Sequence, residues 1–223
     1  MWDYRMIELI IATRNLHKVE EIRGILGTQF RILTLLDFPG APAVVEDAAT
    51  FAGNAAKKAM ELARWIVMRG SDFKVEGSRF VIADDSGLEV DALNGAPGVH
   101  SARFAALDSG AGGNSSDAEN NAKLLYLMQH VPERQRTARF RCVIALARVD
   151  SSVNGGAKTD LFDGACEGRI TRLPSGAGGF GYDPLFVPNG FTQSFAELGA
   201  EVKNSISHRA QALAKLCAHL AVQ

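Results

Sequence analysis

VIADDSGLEVDALNGAPGVHSARF (Val81–Phe104) begins as an apolar run and turns acidic at Asp84 and Asp85, and its reading decides the fold. An apolar run ending in two carboxylates, a hydroxyl and a glycine reads as a buried strand that delivers polar groups to its C-terminal edge, where open α/β sheets place their ligands. Successive side chains of an extended chain point to opposite faces, so only one of the two aspartates can easily look into a given cleft. The other is left to brace the turn. A carboxylate at such an edge can hold Mg²⁺ or take a proton from water. The competing reading is an Asp-Ser-Gly turn whose carboxylates only cap backbone N–H groups, and the motif taken alone favours it.

Working outward toward the N-terminus, Met6 to Ala12 is an almost unbroken apolar run, expected to be a central strand buried on both faces. Helical spacing begins soon after it, with Val19, Ile22, Ile25 and Leu26 on one face and Gly27 where a helix C-terminus favours glycine. Between strand and helix lie Thr13, Arg14, Asn15, Leu16, His17 and Lys18. Their backbone N–H groups, hydroxyl, amide and ammonium could face an anion at the helix N-terminus. An ordinary turn capped by Thr13 or Asn15 competes with that and is the better reading of the loop by itself. Phe30 to Leu36 reads as a second strand and Pro39 to Pro42 as a loop. Glu46 and Asp47 precede a helix running from Thr50 to about Arg69, marked by Phe51, Ala55, Ala59, Leu62 and Ile66. Acidic residues there ordinarily do no more than complement the helix dipole. The polar stretch from Gly70 to Arg79 is expected to be an exposed loop.

The chain of 223 residues can bury a large core, and no linker-like tract divides it, so one domain covering 1–223 is expected. A formal net charge of −1, with no basic run, disfavours nucleic acid as a partner. Apolar stretches are too short to span a bilayer, and Asp3, Arg5 and Glu8 do not suit a signal peptide, which leads to the expectation of a cytoplasmic protein. Cys142, Cys166 and Cys217 are widely spaced and odd in number, suggesting neither a disulfide framework nor a zinc site.

Beyond Phe104, the Gly/Ser/Ala-rich tract from Leu107 to Ser116 is expected to be mobile, and Ser116 or Asp117 caps a helix containing Asn121, Leu124, Leu125 and Met128. Arg136–Val149 and Asp160–Ile170 read as a hairpin around the loop Asp150–Lys158. PSGAGGFGYDP (Pro174–Pro184) would let the backbone pass close to something flat or crowded. Phe180 or Tyr182 could stack on a base, or one of them could fill the core. Ile206, Ala210, Leu213, Leu216 and Leu220 form the stripe of a C-terminal helix that begins near Ser205 or Ser207. Lys203, His208 and Arg209 cluster at its start, where cations are ordinarily unfavourable; a bound anion or polar ligand would account for them, and solvated surface charge is the alternative.

Taken together and in order, these stretches resemble the inosine/xanthosine triphosphate pyrophosphatase family, hydrolases of non-canonical purine nucleotides. The resemblance runs over nearly the whole chain. It is carried by Thr13-x-Asn15-x-x-Lys18, by Glu46 with Thr50-Phe51 and Asn54-Ala55, by Ala83 to Leu88, by Gly95 to Gly98 with Ser101-Ala102-Arg103, by Phe180 to Pro184, and by Lys203 with Ser207-His208-Arg209. The resemblance implies that Thr13 to Lys18 hold the triphosphate, that Glu46 and Asp85 bind Mg²⁺ with Asp85 also the base, and that Ser86 contacts substrate. Phe180, Gly181, Tyr182, Asp183, Lys203, His208 and Arg209 would form the purine pocket. The implied fold is an elongated α/β structure, a mixed sheet with flanking helices and two lobes around a central nucleotide cleft, assembled as a homodimer. Many relatives have glycine at the positions of Arg14 and His17.

The implied reaction suits these residues. Attack by water at the α-phosphorus of a polyanion needs cations to offset charge and a carboxylate to position or deprotonate the nucleophile. Lys18, Mg²⁺ and the loop amides would supply the first and Asp85 the second, giving monophosphate and pyrophosphate from ITP, dITP or XTP. Two other readings are open: a related septum-inhibitor-like pyrophosphatase preferring pyrimidine or modified bases, and a non-catalytic nucleotide-binding protein. The Phe180–Asp183 and Ser207–Arg209 stretches favour purines. Two acidic residues beside a polyanion, Glu46 and Asp85, are more than a mere binder would need.

Overall fold

Leu9, Ile10 and Ile11 are wholly buried, as an apolar run in the middle of a sheet must be. They belong to strand β1 (Glu8–Ile11) in a computed structural model that describes residues 7–69, 79–107, 113–150 and 159–222. β1 pairs in parallel with β2 (Arg31–Thr34) on one side and with β3 (Arg79–Val90) on the other. Strands β4 (Thr137–Arg148), β5 (Asp160–Ile170) and β6 (Phe186–Pro188) complete a mixed six-stranded sheet of order β2-β1-β3-β4-β5-β6, in which β5 and β6 are antiparallel. Residues 70–78, most of the expected polar loop, lie outside the described residues, as do Met6, 108–112 of the glycine-rich tract and 151–158 of the hairpin loop.

Helix α1 (Leu16–Leu26) follows β1 with Asn15 as its N-cap, buries Val19, Ile22 and Leu26, and stops at Gly27, whose φ of 58° is one that glycine adopts without penalty. Helix α2 (Phe51–Met68) is capped by Thr50, whose hydroxyl accepts from the Gly53 amide, and it buries the expected stripe through Ile66. Each fully buried Leu or Ile in these stripes contributes about 1.5–3 kcal/mol. Helix α3 (Asp117–Leu127) starts in a capping box formed by Ser116 and Glu119. Helices α4 (Phe195–Ile206) and α5 (His208–Leu220) end the fold.

Short β6 has no counterpart in the reading of the sequence, and three longer elements also differ from it. The second strand stops at Thr34, because the Thr34 hydroxyl and the Asp37 carboxylate cap a 3₁₀ turn over Leu35–Asp37. β3 does not end at its aspartates: it runs on through Ser86 and Gly87 to Val90, since β4 continues beside it after β1 has ended opposite Ile82. α4 has no counterpart in the sequence reading. Gly199, at φ 79°, breaks its helical period, so no apolar stripe spans it.

The chain packs as two compact units, one formed by Met1–Asp85, Val143–Asp163 and Ala212–Gln223, the other by Ser86–Cys142 and Gly164–Gln211. The core of the second gathers Leu88, Leu124, Phe140, Cys166, Tyr182, Phe186 and Phe195. Cys142, Cys166 and Cys217 are free thiols. No helix among the described residues is long and apolar enough to cross a membrane.

One buried carboxylate aligns the three parallel strands of the first unit. Glu8 stands opposite both Arg31 and Arg79 in the strand register. It receives Nε and Nη2 of Arg79 at 2.6 Å each and Nη1 of Arg31 at 2.9 Å. Removing one partner of a buried ion pair costs about 3–5 kcal/mol, because the other loses its counter-charge. Glu8→Gln should therefore lower unfolding stability by about 3 kcal/mol in urea titrations, and a change within error of zero would show that the pair does not hold the strands.

Candidate active site

Because β3 is extended, Asp84 and Asp85 point to opposite faces, and each meets an ammonium from a different helix. Asp84, 2% exposed, accepts from Lys18 Nζ, which α1 projects from its first turn. Asp85, 6% exposed, faces α2, where Asn54 and Lys58 are four residues apart and so share one side of the helix. Lys58 Nζ donates to Asp85 Oδ1 at 3.1 Å, to Glu46 Oε2 at 3.0 Å and to the Asp84 carbonyl at 2.9 Å. All three ammonium protons have acceptors. Asn54 Nδ2 donates to Asp85 Oδ2 at 3.2 Å while its Oδ1 accepts from the Ala48 amide at 2.9 Å, which ties the segment carrying Glu46 to Asp85.

Burial pushes the Asp85 carboxyl up to about 6, against the pull of Lys58 and Lys18 and with a contribution from Glu46. Burial also raises Glu46, but the Lys58 charge and a hydrogen bond with Asp85 outweigh it and hold Glu46 below the usual range. Lys58 loses basicity to burial and regains more from Asp85, Glu46 and Asp84, so it stays an ammonium. The arrangement is a buried proton acceptor beside an ionised carboxylate, with one fixed cation between them.

The loop after β1 is quieter than its sequence suggests. Thr13 Oγ1 accepts from the Asn15 amide, and Asn15 Oδ1 accepts from the Lys18 amide, so Asn15 is the helix cap. Arg14, Asn15, Leu16 and His17 are exposed. Arg14 Nη2 donates to the Ala41 carbonyl at 3.1 Å, and His17 Nδ1 lies 3.9 Å from Glu20. Thr13, Arg14, Glu46 and Lys58 line a pocket of about 170 Å³ with apolar walls that include Leu35, Val44 and Leu62.

The second unit brings together the other predicted residues. Gly179, at φ 72°, sits so close to Asp183 that a Cβ there would lie 2.1 Å from Asp183 Oδ2, so only glycine lets this loop close. Asp183, 1% exposed, accepts from the Phe180 amide at 2.9 Å and from Lys203 Nζ. Lys203 Nζ also stands 4.7 Å from the centroid of the Phe180 ring, and the Arg209 guanidinium 6.0 Å from it. Arg209 Nη2 donates to Ser86 Oγ at 2.9 Å. His208 stacks on Phe140 at 4.9 Å and 13°. Tyr182 turns into the core and donates its hydroxyl to the Ser101 carbonyl, which leaves the half-buried Phe180 as the aromatic available for stacking. Lys203, His208 and Arg209 are all buried, which removes solvated surface charge as their explanation. Lys203 lies in the last turn of α4 and not at the start of α5.

Lys58 has no role in the sequence reading, and Asn54 figures there only as part of a matched pattern. A polar pair at i and i+4 on an otherwise apolar face of the helix was the available signal, but charged residues at that spacing usually face solvent.

The chain is similar to known proteins over nearly its whole length. The sequence model of the Ham1 family matches residues 9–219. A dITP/XTP pyrophosphatase of Desulforamulus reducens is 47% identical over 210 residues, covering 94% of this chain and 93% of that one. A dITP/XTP pyrophosphatase of Geobacter sulfurreducens is 46% identical over 219 residues, 98% of each chain. Among solved structures, a HAM1 protein from Coxiella burnetii superposes with a TM-score of 0.77 at 35% identity, covering 98% of this chain and 100% of that one. The Staphylococcus aureus Ham1 protein gives 0.76 at 34% identity, covering 96% and 98%.

The raised Asp85 carboxyl makes the metal-free protein sensitive to pH. Between the ordinary value of 3.8 and the folded value of about 6, the folded chain holds a proton that the unfolded chain has released. This group's contribution to stability is therefore complete below the first value and is lost as pH rises through the second. In chelator-treated protein, the parent should lose stability relative to Asp85→Asn across that window. Urea midpoints measured at several pH values test this, and a parent-to-variant difference that stays flat would contradict it.

Proposed function

This chain belongs to the Ham1 family, and we propose that it is a nucleoside triphosphate pyrophosphohydrolase that clears non-canonical purine nucleotides from the nucleotide pool. It hydrolyses dITP, ITP and XTP to the monophosphate and pyrophosphate. The observation that carries the mechanism is the Asp85–Lys58–Glu46 arrangement, in which a buried carboxyl raised to about 6 is held next to a fixed ammonium. A base near neutrality is suited to accept the proton of an attacking water.

Asp85 takes that proton as the water attacks the α-phosphorus. Lys58 and Lys18 oppose the charge that gathers on the phosphate oxygens, and Thr13, Arg14, Asn15, Leu16 and His17 receive the polyphosphate with backbone and side-chain donors. Glu46 and Asp85 present oxygen donors only, and both converge on one cation in this structure. That donor set fits Mg²⁺, which takes one or two carboxylates and completes its shell with phosphate oxygens and water. When bound, Mg²⁺ would offset the polyphosphate charge.

The base goes to the second set of residues. Phe180 stacks on it, with Lys203 and Arg209 beside the ring; Gly181, Tyr182, Asp183 and His208 shape the surroundings, and Ser86, paired with Arg209, contacts the substrate. Hypoxanthine and xanthine carry an oxygen at the six position, which the donor-only groups Arg209 and Lys203 can satisfy, whereas adenine carries an amino donor there. A site built to hydrogen-bond one group can reject an analogue lacking it by roughly 10⁴-fold. We take the 223 residues to act as one catalytic domain. A cytoplasmic homodimer is the assembly in keeping with the family resemblance.

Two substitutions test the division of labour. Asp85→Asn keeps the shape of the side chain and removes its charge and basicity, so turnover of dITP at saturating Mg²⁺ should fall by roughly 10²-fold or more; near-parental pyrophosphate release would take Asp85 out of the chemistry. Arg209→Ala should narrow the gap in kcat/KM between ITP and ATP. If the parent uses both nucleotides equally, or the variant keeps the parental preference, Arg209 does not read the base.

A further inference from the structure

Helix α3 presents a polar face that the proposed chemistry does not use. Asp117, in its first turn, accepts the backbone N–H of Gly181 on Oδ2 at 2.6 Å, and Asn121 donates Nδ2 to the carbonyl of the same glycine at 3.0 Å. The four-residue spacing places both side chains on one side of the helix. Gly181 has φ 62°, a conformation in which an unrestrained glycine has many alternatives. Its N–H belongs to the peptide shared with Phe180 and its carbonyl to the peptide shared with Tyr182. Fixing both groups therefore fixes the peptide planes on either side, and with them the direction in which each aromatic leaves the backbone.

The same helix holds the neighbouring anchor. Tyr182 donates its hydroxyl to the Ser101 carbonyl at 2.9 Å. The segment around Ser101 is held in turn by Asn120, which accepts from the Ala105 amide at 2.9 Å and donates to the Ala102 carbonyl at 3.3 Å. Asp117 is not needed to start the helix, because Ser116 and Glu119 already cap it reciprocally. Its carboxylate is spent on Gly181 instead.

We propose that Asp117 and Asn121 are positioning residues that set the purine selectivity of the enzyme by clamping both peptides of Gly181. This rests on the assignment of Phe180 to Asp183 to the base. Neither residue contacts the nucleotide in this scheme. They act by holding the Phe180 ring in register with Lys203 and Arg209, so that the stacked base is presented to its donors at one fixed depth.

The test uses Asp117→Ala, Asn121→Ala and, as the conservative variant, Asp117→Asn, which keeps an acceptor oxygen. Hydrogen exchange at the Gly181 amide is measured in the ligand-free protein, and KM and kcat are measured for dITP and ATP. A hydrogen bond to a charged group is worth about tenfold or more. In Asp117→Ala, the Gly181 amide should exchange about tenfold faster while the thermal midpoint stays near that of the parent. The KM for dITP should rise about tenfold with kcat little changed, and the preference for dITP over ATP should shrink with it. Asp117→Asn should restore most of both effects, and Asn121→Ala should reproduce the change in KM. Parental exchange at Gly181 in Asp117→Ala would overturn the clamp. Faster exchange with parental KM and selectivity would overturn its role in recognition, as would a fall in kcat with no change in base preference. A parent that releases pyrophosphate from no purine nucleoside triphosphate would overturn the functional reading and the selectivity role with it, an outcome told apart by the exchange measurement, which needs no substrate.

Discussion

The placement of Asp84 and Asp85 depends on the ion pairs that Glu8 makes with Arg31 and Arg79 across three parallel strands. In a sheet, slipping one strand by a single residue moves every side chain to the opposite face. A slip of β3 against β1 would exchange Asp84 with Asp85, turning the carboxyl raised to about 6 toward Lys18 and the other toward Lys58. A buried carboxylate flanked in register by two guanidinium groups opposes that slip more strongly than Leu9, Ile10 and Ile11 can, since aliphatic side chains fit almost as well one position along. Structural charge at one end of the strands thus determines which aspartate meets Lys18 and which meets Lys58 at the other.

Around Asp85 the charges do not balance. Glu46, Asp84 and Asp85 bring three carboxylates against the two ammonium groups of Lys18 and Lys58. Burial is the main reason that Asp85 holds its proton; the two ammonium groups act against it, and neighbouring Glu46 adds a smaller contribution in the same direction as burial. Under the proposed function, once Asp85 is ionised, a bound cation such as Mg²⁺ would offset this surplus beside a polyphosphate.

Much of this was legible in the residues. A cap at Thr13 or Asn15, which the structure gives to Asn15, the stop at Gly27, the stripes of α1 and α2 and the alternation that separates Asp84 from Asp85 all follow from local rules. What escaped has a common cause. The continuation of β3 past its aspartates depends on β4, which arrives from far along the chain, and Lys58 becomes a buried hub only because Glu46 and two aspartates surround it. The contact of Asp117 and Asn121 with Gly181 spans some sixty positions of sequence. No window of neighbouring residues contains such information. α4 was hidden for a different reason, a single glycine in its middle that leaves too little periodic sequence on either side.

The long cations of both units are already tethered. Lys18 rests on Asp84, Lys58 on three oxygens and Lys203 on Asp183. A free lysine side chain carries about 2 kcal/mol of rotamer entropy, which a flexible site would surrender each time a ligand arrived. Here that ordering is completed once, when the protein folds, so under the proposed function each nucleotide would meet ammonium groups already in place. The molecule has moved a recurring entropic cost from the catalytic cycle into its own biogenesis.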